Sequence, residues 1–421
     1  MSDGRGTIVV VGGSHSPHTR VPSRMLREAG YRVALADLQP APPPPEPEPD
    51  EAFDAVYPLF DWTQALLLKG RAVAPPPGAD YALKPIEVEA PTRWTSYAWR
   101  LVRGRLRARR LRSVVRRERP GLVYFQSMTA GAMTAYYWLK GAGWPARGDR
   151  PGLIAHLWGY KPRYPGERRR ESRVLAAVDE IHTSSPQVAR IYRENFGVPE
   201  EKMHVFIRGP NLETFRPRPA AELDAGRAEW GVPDDQFVII HNRHLHPMYR
   251  VDVAVDAFID LARRGRDVFL ILVRGSMREE AYEREMLARL ASAGFADRVA
   301  VMPPILTPDQ MAVALQISHA AVNCVPFDAF GVSIVEAMVC RAVPVVRDLE
   351  SYVQFVRDGE TGFAVAGGAE DYADRLDRLI LDPALRERMA DAGQDLVRRE
   401  GSEEAYRRHV LDLVERCWHG G

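Results

Sequence analysis

The sequence predicts an α/β protein built as two doubly wound, Rossmann-like lobes with a cleft between them. Three observations predict it. Short apolar strands alternate with helical segments through both halves of the chain, a pattern that makes mostly parallel sheets covered on both faces. A glycine turn, Gly12-Gly13-Ser14, follows the first apolar run, as in the opening unit of such a sheet. A stretch rich in turn formers, from Gly209-Pro210-Asn211 to Arg216-Pro217-Arg218-Pro219, separates the two patterns and reads as an interdomain linker. The 421 residues suit two to three domains. The expected division is a lobe over 1–210, a second over 211–400 and a C-terminal helix over 401–421 that packs back on the first.

In the first half, 7–11 and 32–36 are strands around an amphipathic helix over about 19–29 that ends at Gly30. Residues 39–50, QPAPPPPEPEPD, form neither helix nor sheet, because proline locks φ and lacks the N–H. They read as an exposed polyproline-like loop, and 74–78 as another loop. The segment 93–119 has helical spacing and leads to Pro120. Strands follow at 122–125, 153–157, 180–183 and 203–207, with helices over 129–141, 166–178 and from Ser185-Pro186 onward, serine as cap and proline in the first turn. The second half reads as strands at 237–241, 268–273, 299–301, 320–323, 343–346 and 363–365. Helices at 251–264, 279–293, 308–316, 333–340, 350–357 and 369–380 lie between and after them.

Composition excludes several classes. Hydrophobic residues make up 46 % and charged residues 27 %, which is globular and not disordered. Cys324, Cys340 and Cys417 are too few and scattered for a disulfide framework or a zinc site, and a reducing, cytoplasmic setting is expected. No apolar run reaches transmembrane length, and Ile8-Val9-Val10-Val11 reads as a buried strand, not a signal peptide. The net charge of +1 conceals a division. Residues 216–421 hold 25 Arg, no Lys and 34 acids, a balance of −9, which leaves +10 for residues 1–215. Eleven Arg and a single acid, Glu118, fall within 93–119. A basic segment that opens on Trp94, Tyr97 and Trp99 suits an anionic membrane surface, and a peripheral location on the inner face is the matching expectation. Nucleic acid is not expected, because no reader motif accompanies the charge.

The most informative stretch runs from Pro326 to Met338. A strand ends near Val325, and a loop with Gly331 turns into a helix that begins around Ser333. Unpaired N–H groups and the positive end of the helix dipole suit a diphosphate there. Gly331 permits close backbone approach. Glu336, one turn into the helix, is placed to accept hydrogen bonds from ribose hydroxyls, and Asp328, just before it, to bond sugar hydroxyls.

Together these residues resemble the carboxylate motif of GT-B glycosyltransferases, specifically the large retaining family four, whose pattern is E-x₇-E within EGFGxxxxEAMACGxPVV. Asp328 to Glu336 keeps that offset with Asp in the first slot, and Phe330, Gly331, Glu336, Ala337, Met338, Cys340, Pro344, Val345 and Val346 match. Arg341 replaces the glycine after the helix. Asp358-Gly359-Glu360-Thr361-Gly362-Phe363 is similar to the following DGxxGF, and Arg208 to Pro217 loosely resembles the NGVDxxxFxP linker. Arg243 to Asp252 is similar to the GRLxxxKG turn, with Arg243 in the arginine slot and Tyr249 or Arg250 in the lysine slot. Gly275-Ser276 resembles the VGxGP turn that lines the base pocket. His156-Leu157-Trp158-Gly159-Tyr160-Lys161 resembles LWGSD, with Lys161 in place of the acid.

The resemblance implies a GT-B fold and transfer of a sugar from a nucleotide-diphosphate donor to an acceptor hydroxyl, with retention, no essential metal and no cofactor. It implies that Arg243, Arg250, Phe330, Gly331, Val332 and Ser333 surround the diphosphate, that Gly275 lines the base pocket, and that Gly12 and Gly13 face the phosphates from the other lobe. His15, His18, His156, Trp158 and Lys161 are acceptor-side candidates, the acceptor being a glycan, a lipid-linked sugar or a small molecule in surface-glycan or natural-product synthesis. A core histidine remains the competing reading of His156. A nucleotide-sugar epimerase on the same fold and a non-catalytic scaffold stay open as alternatives. A dinucleotide-dependent dehydrogenase does not fit, since Gly12-Gly13-Ser14 lacks G-x-G-x-x-G spacing.

Overall fold

The computed structural model describes residues 5–14, 16–38, 52–59, 94–126, 128–159, 165–275 and 277–418. The proline-rich segments 39–50 and 74–78, and His15, Lys161 and Arg93, lie outside the described residues. The chain forms two compact units. One takes the described residues up to Phe206 and those from Arg407 onward; the other is Ile207–Tyr406.

The first unit is a seven-stranded parallel sheet. Its strands are β1 (Thr7–Gly12), β2 (Arg32–Asp37), β3 (Ala55–Pro58), β4 (Leu122–Phe125), β5 (Gly152–Leu157), β6 (Glu180–Thr183) and β7 (Met203–Val205), in the order β3-β2-β1-β4-β5-β6-β7. The second unit is a six-stranded parallel sheet of β8 (Phe237–His241), β9 (Val268–Leu272), β10 (Val299–Val301), β11 (Ala320–Asn323), β12 (Val343–Arg347) and β13 (Phe363–Val365), in the order β10-β9-β8-β11-β12-β13. Both orders reverse beside their first strand, at β1 and β4 and again at β8 and β11. Open α/β sheets bind ligands outside the carboxyl ends of the strands at such a switch point. Ile8, Val9, Val10 and Val11 are fully buried, as are Leu270, Ile271 and Leu272, because helices cover both faces of each sheet.

Local signals act where the sequence placed them. Ser185 Oγ accepts from the Val188 N–H, Pro186 opens the helix Pro186–Phe196, and Gly197 closes it in the left-handed region. Parallel register aligns His156 with His182 and His182 with His204 across β5, β6 and β7. The His156 and His182 rings stack at 3.9 Å, and Phe206 stacks on His182 at 4.7 Å. Tyr124 Oη bonds His182 Nε2, while burial, with His204 adding to it, pushes His182 down to about 3. His156 is fully buried and bonded to Gln126 at 3.2 Å, which makes it a core residue of the sheet.

Elsewhere the elements differ from expectation for physical reasons. The expected helix 350–357 is a single 3₁₀ turn, Glu350–Tyr352, whose apolar spacing comes from Tyr352, Phe355 and Val356 turning into the core. Strand 203–207 stops at Val205. The unexpected helix Ala220–Trp230 buries only Gly226 and so carries no apolar stripe for periodicity to detect. The helix Pro383–Leu396 was likewise not read from the sequence. The edge strand β3 is four residues long and ends in proline, which depresses its strand signal.

Arg341, in the family's glycine slot, takes the left-handed conformation with φ +70°. The turn is therefore kept, and the strained arginine is held by ion pairs to Glu387 at 2.7 Å and to Asp391. Left-handed backbone costs a non-glycine residue roughly 1–2 kcal/mol. Arg341→Ala and Arg341→Gly both lose the ion pairs, and only glycine relieves the strain. Thermal and urea unfolding should therefore find Arg341→Gly more stable than Arg341→Ala by about 1 kcal/mol.

Candidate functional site

A cluster of polar groups in the second unit forms where β8 and β11 end. β8 runs into Asn242-Arg243-His244, and β11 into the loop that leads through Asp328 and Gly331 to the helix Val332–Val339. Arg243 ties the two together. Its guanidinium lies 3.2 Å from Asp328 Oδ2 and donates to Ser333 Oγ at 3.1 Å. Below it, the Tyr249 ring centroid is 4.7 Å from the guanidinium carbon, a cation–π contact. Asn242 Nδ2 donates to the Ser333 carbonyl at 2.8 Å, and Tyr352 Oη donates to Asp328 Oδ2 at 3.1 Å. The structure thus brings together Asp328, Arg243 and Ser333, which the sequence singled out. It adds Asn242 and Tyr352, to which the sequence assigned no role. Asn242 precedes the arginine turn and Tyr352 lies in the turn Glu350–Tyr352, and both reach the site only through the tertiary fold.

Gly331 caps the helix with φ −88°, and among the described residues no side-chain cap meets its first N–H groups. A Cβ there would sit 3.1 Å from Asp328 Oδ2 and 3.2 Å from Ile334, so those side chains would have to give by a few tenths of an ångström. Phe330 packs edge-on against Phe355 at 5.8 Å, which fixes the loop ahead of Gly331. Val332 and Ser333 are half-buried at the helix start. Glu336 follows one turn on. Burial pushes its carboxyl up to about 7, against the pull of Arg208 and Arg243. Arg208, the residue in the linker's asparagine slot, thereby joins the site without having been singled out.

Arg250 behaves differently. It takes the left-handed conformation at the head of the helix Val251–Arg263, and its fork is held by Asp252, with Nη2 to Oδ2 at 2.9 Å. Tyr282 Oη donates to the same carboxylate at 2.8 Å. The charge of Arg250 is therefore committed to Asp252. Gly275, after β9, has φ +66°, and a Cβ on it would lie 1.9 Å from His244 Nδ1. Asn242, Arg243, His244, Gly275 and Ser333 line a cavity of about 380 Å³ whose wall includes Pro304, Ile305 and Leu306.

In the first unit, Gly12 ends β1 where a Cβ would meet Thr19 Oγ1 at 2.6 Å, so close helix packing requires it. The Gly13 N–H donates to Thr19 Oγ1 at 3.2 Å, and the Ser14 N–H to Asp37 Oδ1 at 3.2 Å. Trp158 Nε1 donates to the Gln126 carbonyl at 2.5 Å, and its ring lies 3.8 Å from that of His156. His18 lies in the helix Pro17–Glu28, but its side chain, like all of His15 and Lys161, is outside the described residues. The arginine-rich helix spans Trp94–Glu118. Arg107 is buried and bonds the Leu38 carbonyl, and Arg100 pairs with Glu167 at 3.1 Å. Arg105, Arg109, Arg110 and Arg116 are exposed beside Val102 and Leu106.

Two family models divide the chain. Residues 18–214 match Glycosyltransferase Family 4, and residues 224–396 match Glycosyl transferases group 1. The chain belongs to this glycosyltransferase family. Among curated relatives, the D-inositol 3-phosphate glycosyltransferase of Streptomyces bingchenggensis is 27 % identical over 266 residues, covering 62 % of this chain and 55 % of that one. Its counterpart from Acidothermus cellulolyticus is 32 % identical over 222 residues, covering 51 % and 48 %. The chain thus spans about half the length of the curated relatives it matches. Among solved structures, a glycosyltransferase from Rickettsia africae superposes with a TM-score of 0.74 at 15 % identity, covering 99 % of both chains. Anabaena HepE in complex with UDP gives 0.71 at 16 % identity, covering 97 % of this chain and 99 % of that one. These likenesses show the fold, which is GT-B.

Glu336 makes this site sensitive to pH in a defined direction. Its folded value, about 7, lies above its ordinary 4.5. Between those values the folded chain holds a proton that the unfolded chain has lost, so this group's contribution to stability falls as pH rises through the window. Glu336→Gln removes the penalty. Thermal unfolding at low and high pH should show the variant gaining on the wild type by on the order of 1–3 kcal/mol between pH 4 and pH 8. A difference independent of pH would show that Glu336 ionises normally.

Proposed function

We propose that this chain transfers a sugar from a nucleoside-diphosphate donor to an acceptor hydroxyl with retention of anomeric configuration. The observation that carries the reading is Arg243, held by Asp328 and Ser333 at the open start of the helix Val332–Val339. A fixed cation beside unpaired helix N–H groups suits a departing diphosphate. In this reading Arg243 and the Gly331–Ser333 amides take the diphosphate in place of a metal ion. Glu336 accepts from the ribose, and Asp328 orients the sugar hydroxyls. The acceptor oxygen bonds to the anomeric carbon on the face from which the diphosphate leaves, and the hydroxyl proton passes to the leaving phosphate oxygen. Relatives named D-inositol 3-phosphate glycosyltransferases support an acceptor hydroxyl, and HepE structures with UDP and UDP-glucose support a nucleotide-sugar donor. The acceptor class is a glycan, a lipid-linked sugar or a small molecule.

A screen of nucleotide sugars for donor hydrolysis, followed by acceptors with the winning donor, tests the activity. With that pair, Arg243→Ala should lower kcat/KM by on the order of 100-fold or more. Wild-type turnover by Arg243→Ala or Glu336→Ala would remove these residues from the site.

A peripheral membrane role for the helix Trp94–Glu118 is a second reading. It is favoured by Val102 and Leu106, 42 % and 40 % exposed, among exposed arginines. No helix among the described residues is long and apolar enough to cross a membrane. Replacing Arg105, Arg109, Arg110 and Arg116 by Gln should weaken sedimentation with phosphatidylglycerol vesicles at least tenfold. Uncharged phosphatidylcholine vesicles should show no such effect. Unchanged binding to the anionic vesicles removes this reading.

A further inference from the structure

His244 lines the cavity beside Arg243, and the arrangement of its ring decides which nitrogen faces a ligand. Nδ1 is buried and has no hydrogen-bond partner among the described residues. It is pressed toward Gly275, whose left-handed φ and missing Cβ together leave the ring its place, since a Cβ would lie 1.9 Å away. The Tyr249 ring, 5.3 Å off, bounds the imidazole on another side. Nε2, unlike Nδ1, is not among the buried unpartnered nitrogens, and His244 lines the cavity, so Nε2 is the nitrogen a ligand there can reach.

Burial first, then Arg243 and His246, holds the His244 imidazole below the usual histidine range. At neutral pH the ring is uncharged and carries one proton. A buried N–H without an acceptor is among the rarest and costliest features of native structures, more so than an unused lone pair. The proton therefore sits on Nε2, and the ring offers the cavity a donor and no acceptor. Pro304, Ile305 and Leu306 line the same cavity. Ile305 is 78 % exposed, the largest value among the exposed large hydrophobics, and a flat ring seated here would cover it. Arg243 and Ser333 line the same cavity on the diphosphate side, so a ligand anchored there extends its base toward His244.

We propose that His244 selects the nucleobase of the donor: its Nε2–H donates to a keto oxygen on the base edge, so the site takes a uracil- or guanine-type base over cytosine or adenine. This rests on the nucleotide-sugar reading above. An amino group at that edge would face the Nε2–H donor to donor, leaving both unsatisfied. Sites built to hydrogen-bond a ligand group reject analogues that lack it far more strongly than apolar pockets reject a size change. Gly275 is then a positioning residue, because it sets the plane of the imidazole.

Calorimetric titration of the full chain with UDP against CDP, and with IDP against ADP, tests the proposal, since each pair exchanges a keto oxygen for an amino group at one ring position. The expected result is a preference of roughly 10-fold or more for the keto member of at least one pair. His244→Leu should bring that ratio to within about 3-fold, and His244→Gln, which again supplies an N–H donor, should restore it. Equal binding of keto and amino members by the wild type overturns the proposal. So does a ratio that survives in His244→Leu, or an equal loss for all four nucleotides, which is the mark of a merely structural histidine. Failure of the wild type to bind any of the four overturns the donor reading itself, and the base preference with it.

Discussion

One guanidinium organises the second unit. Arg243 stands at the end of β8, Asp328 in the loop after β11 and Ser333 in the first turn of the helix beyond. The contacts at 3.2 Å and 3.1 Å join all three. With side chains only 17 % and 13 % exposed, the Arg243–Asp328 pair is screened less than a surface pair. It fixes the helix start relative to the strand and leaves a cation beside the helix's unpaired N–H groups. Removing either partner would leave the other as a half-buried, unpaired charge, which is why the loop from Asp328 to Gly331 depends on the pair for its shape. Tyr352 donates to the Asp328 carboxylate and Asn242 to the Ser333 carbonyl, which ties the loop and the helix start to their surroundings.

The fold was legible because its signals are local and repeated. Runs such as Ile8-Val9-Val10-Val11 and Leu270-Ile271-Leu272 are buried on both faces, so they read as strands without any alternation. The cap at Ser185 marks a helix start by chemistry. What escaped reading lacks those signals. Ala220–Trp230 has almost no buried face, and β3 exists only because β2 offers it an edge. In the site, the residues on one short motif, Asp328 to Glu336, were readable from spacing. Tyr352 and Arg208 were not, because they enter through the tertiary fold and from distant points of the chain. His156 shows the opposite case. A motif-like position made it a candidate, and register across β5 and β6 made it part of a buried aromatic stack.

The division of charge also acquires a structural content. The arginines of Trp94–Glu118 are not one class. Arg107 is spent inside the fold on the Leu38 carbonyl, Arg100 on Glu167, and Arg105 and Arg117 lie over the Tyr137 and Tyr57 rings. The count of arginines in a segment therefore overstates its free charge. Arg109 and Arg116, exposed with Leu106 beside them, belong to the part whose field reaches solvent.

The departures from the family pattern in the second unit compensate one another. The lysine slot offers two residues, Tyr249 and Arg250. Arg250 forks onto Asp252, with its side chain half exposed. Tyr249 contributes no charge, but its ring supports Arg243 from below at 4.7 Å. Arg243 is thereby held from three directions, by a carboxylate, a hydroxyl and an aromatic face. A guanidinium so restrained loses little freedom when an anion arrives, and preorganised charge counts for more than mobile charge in a shielded site. Asp in the first acidic slot fits the same logic. Its shorter arm keeps the carboxylate at the mouth of the loop, within reach of both Arg243 and Tyr352. The acid with the shorter arm is therefore matched by a guanidinium whose geometry is fixed on several sides.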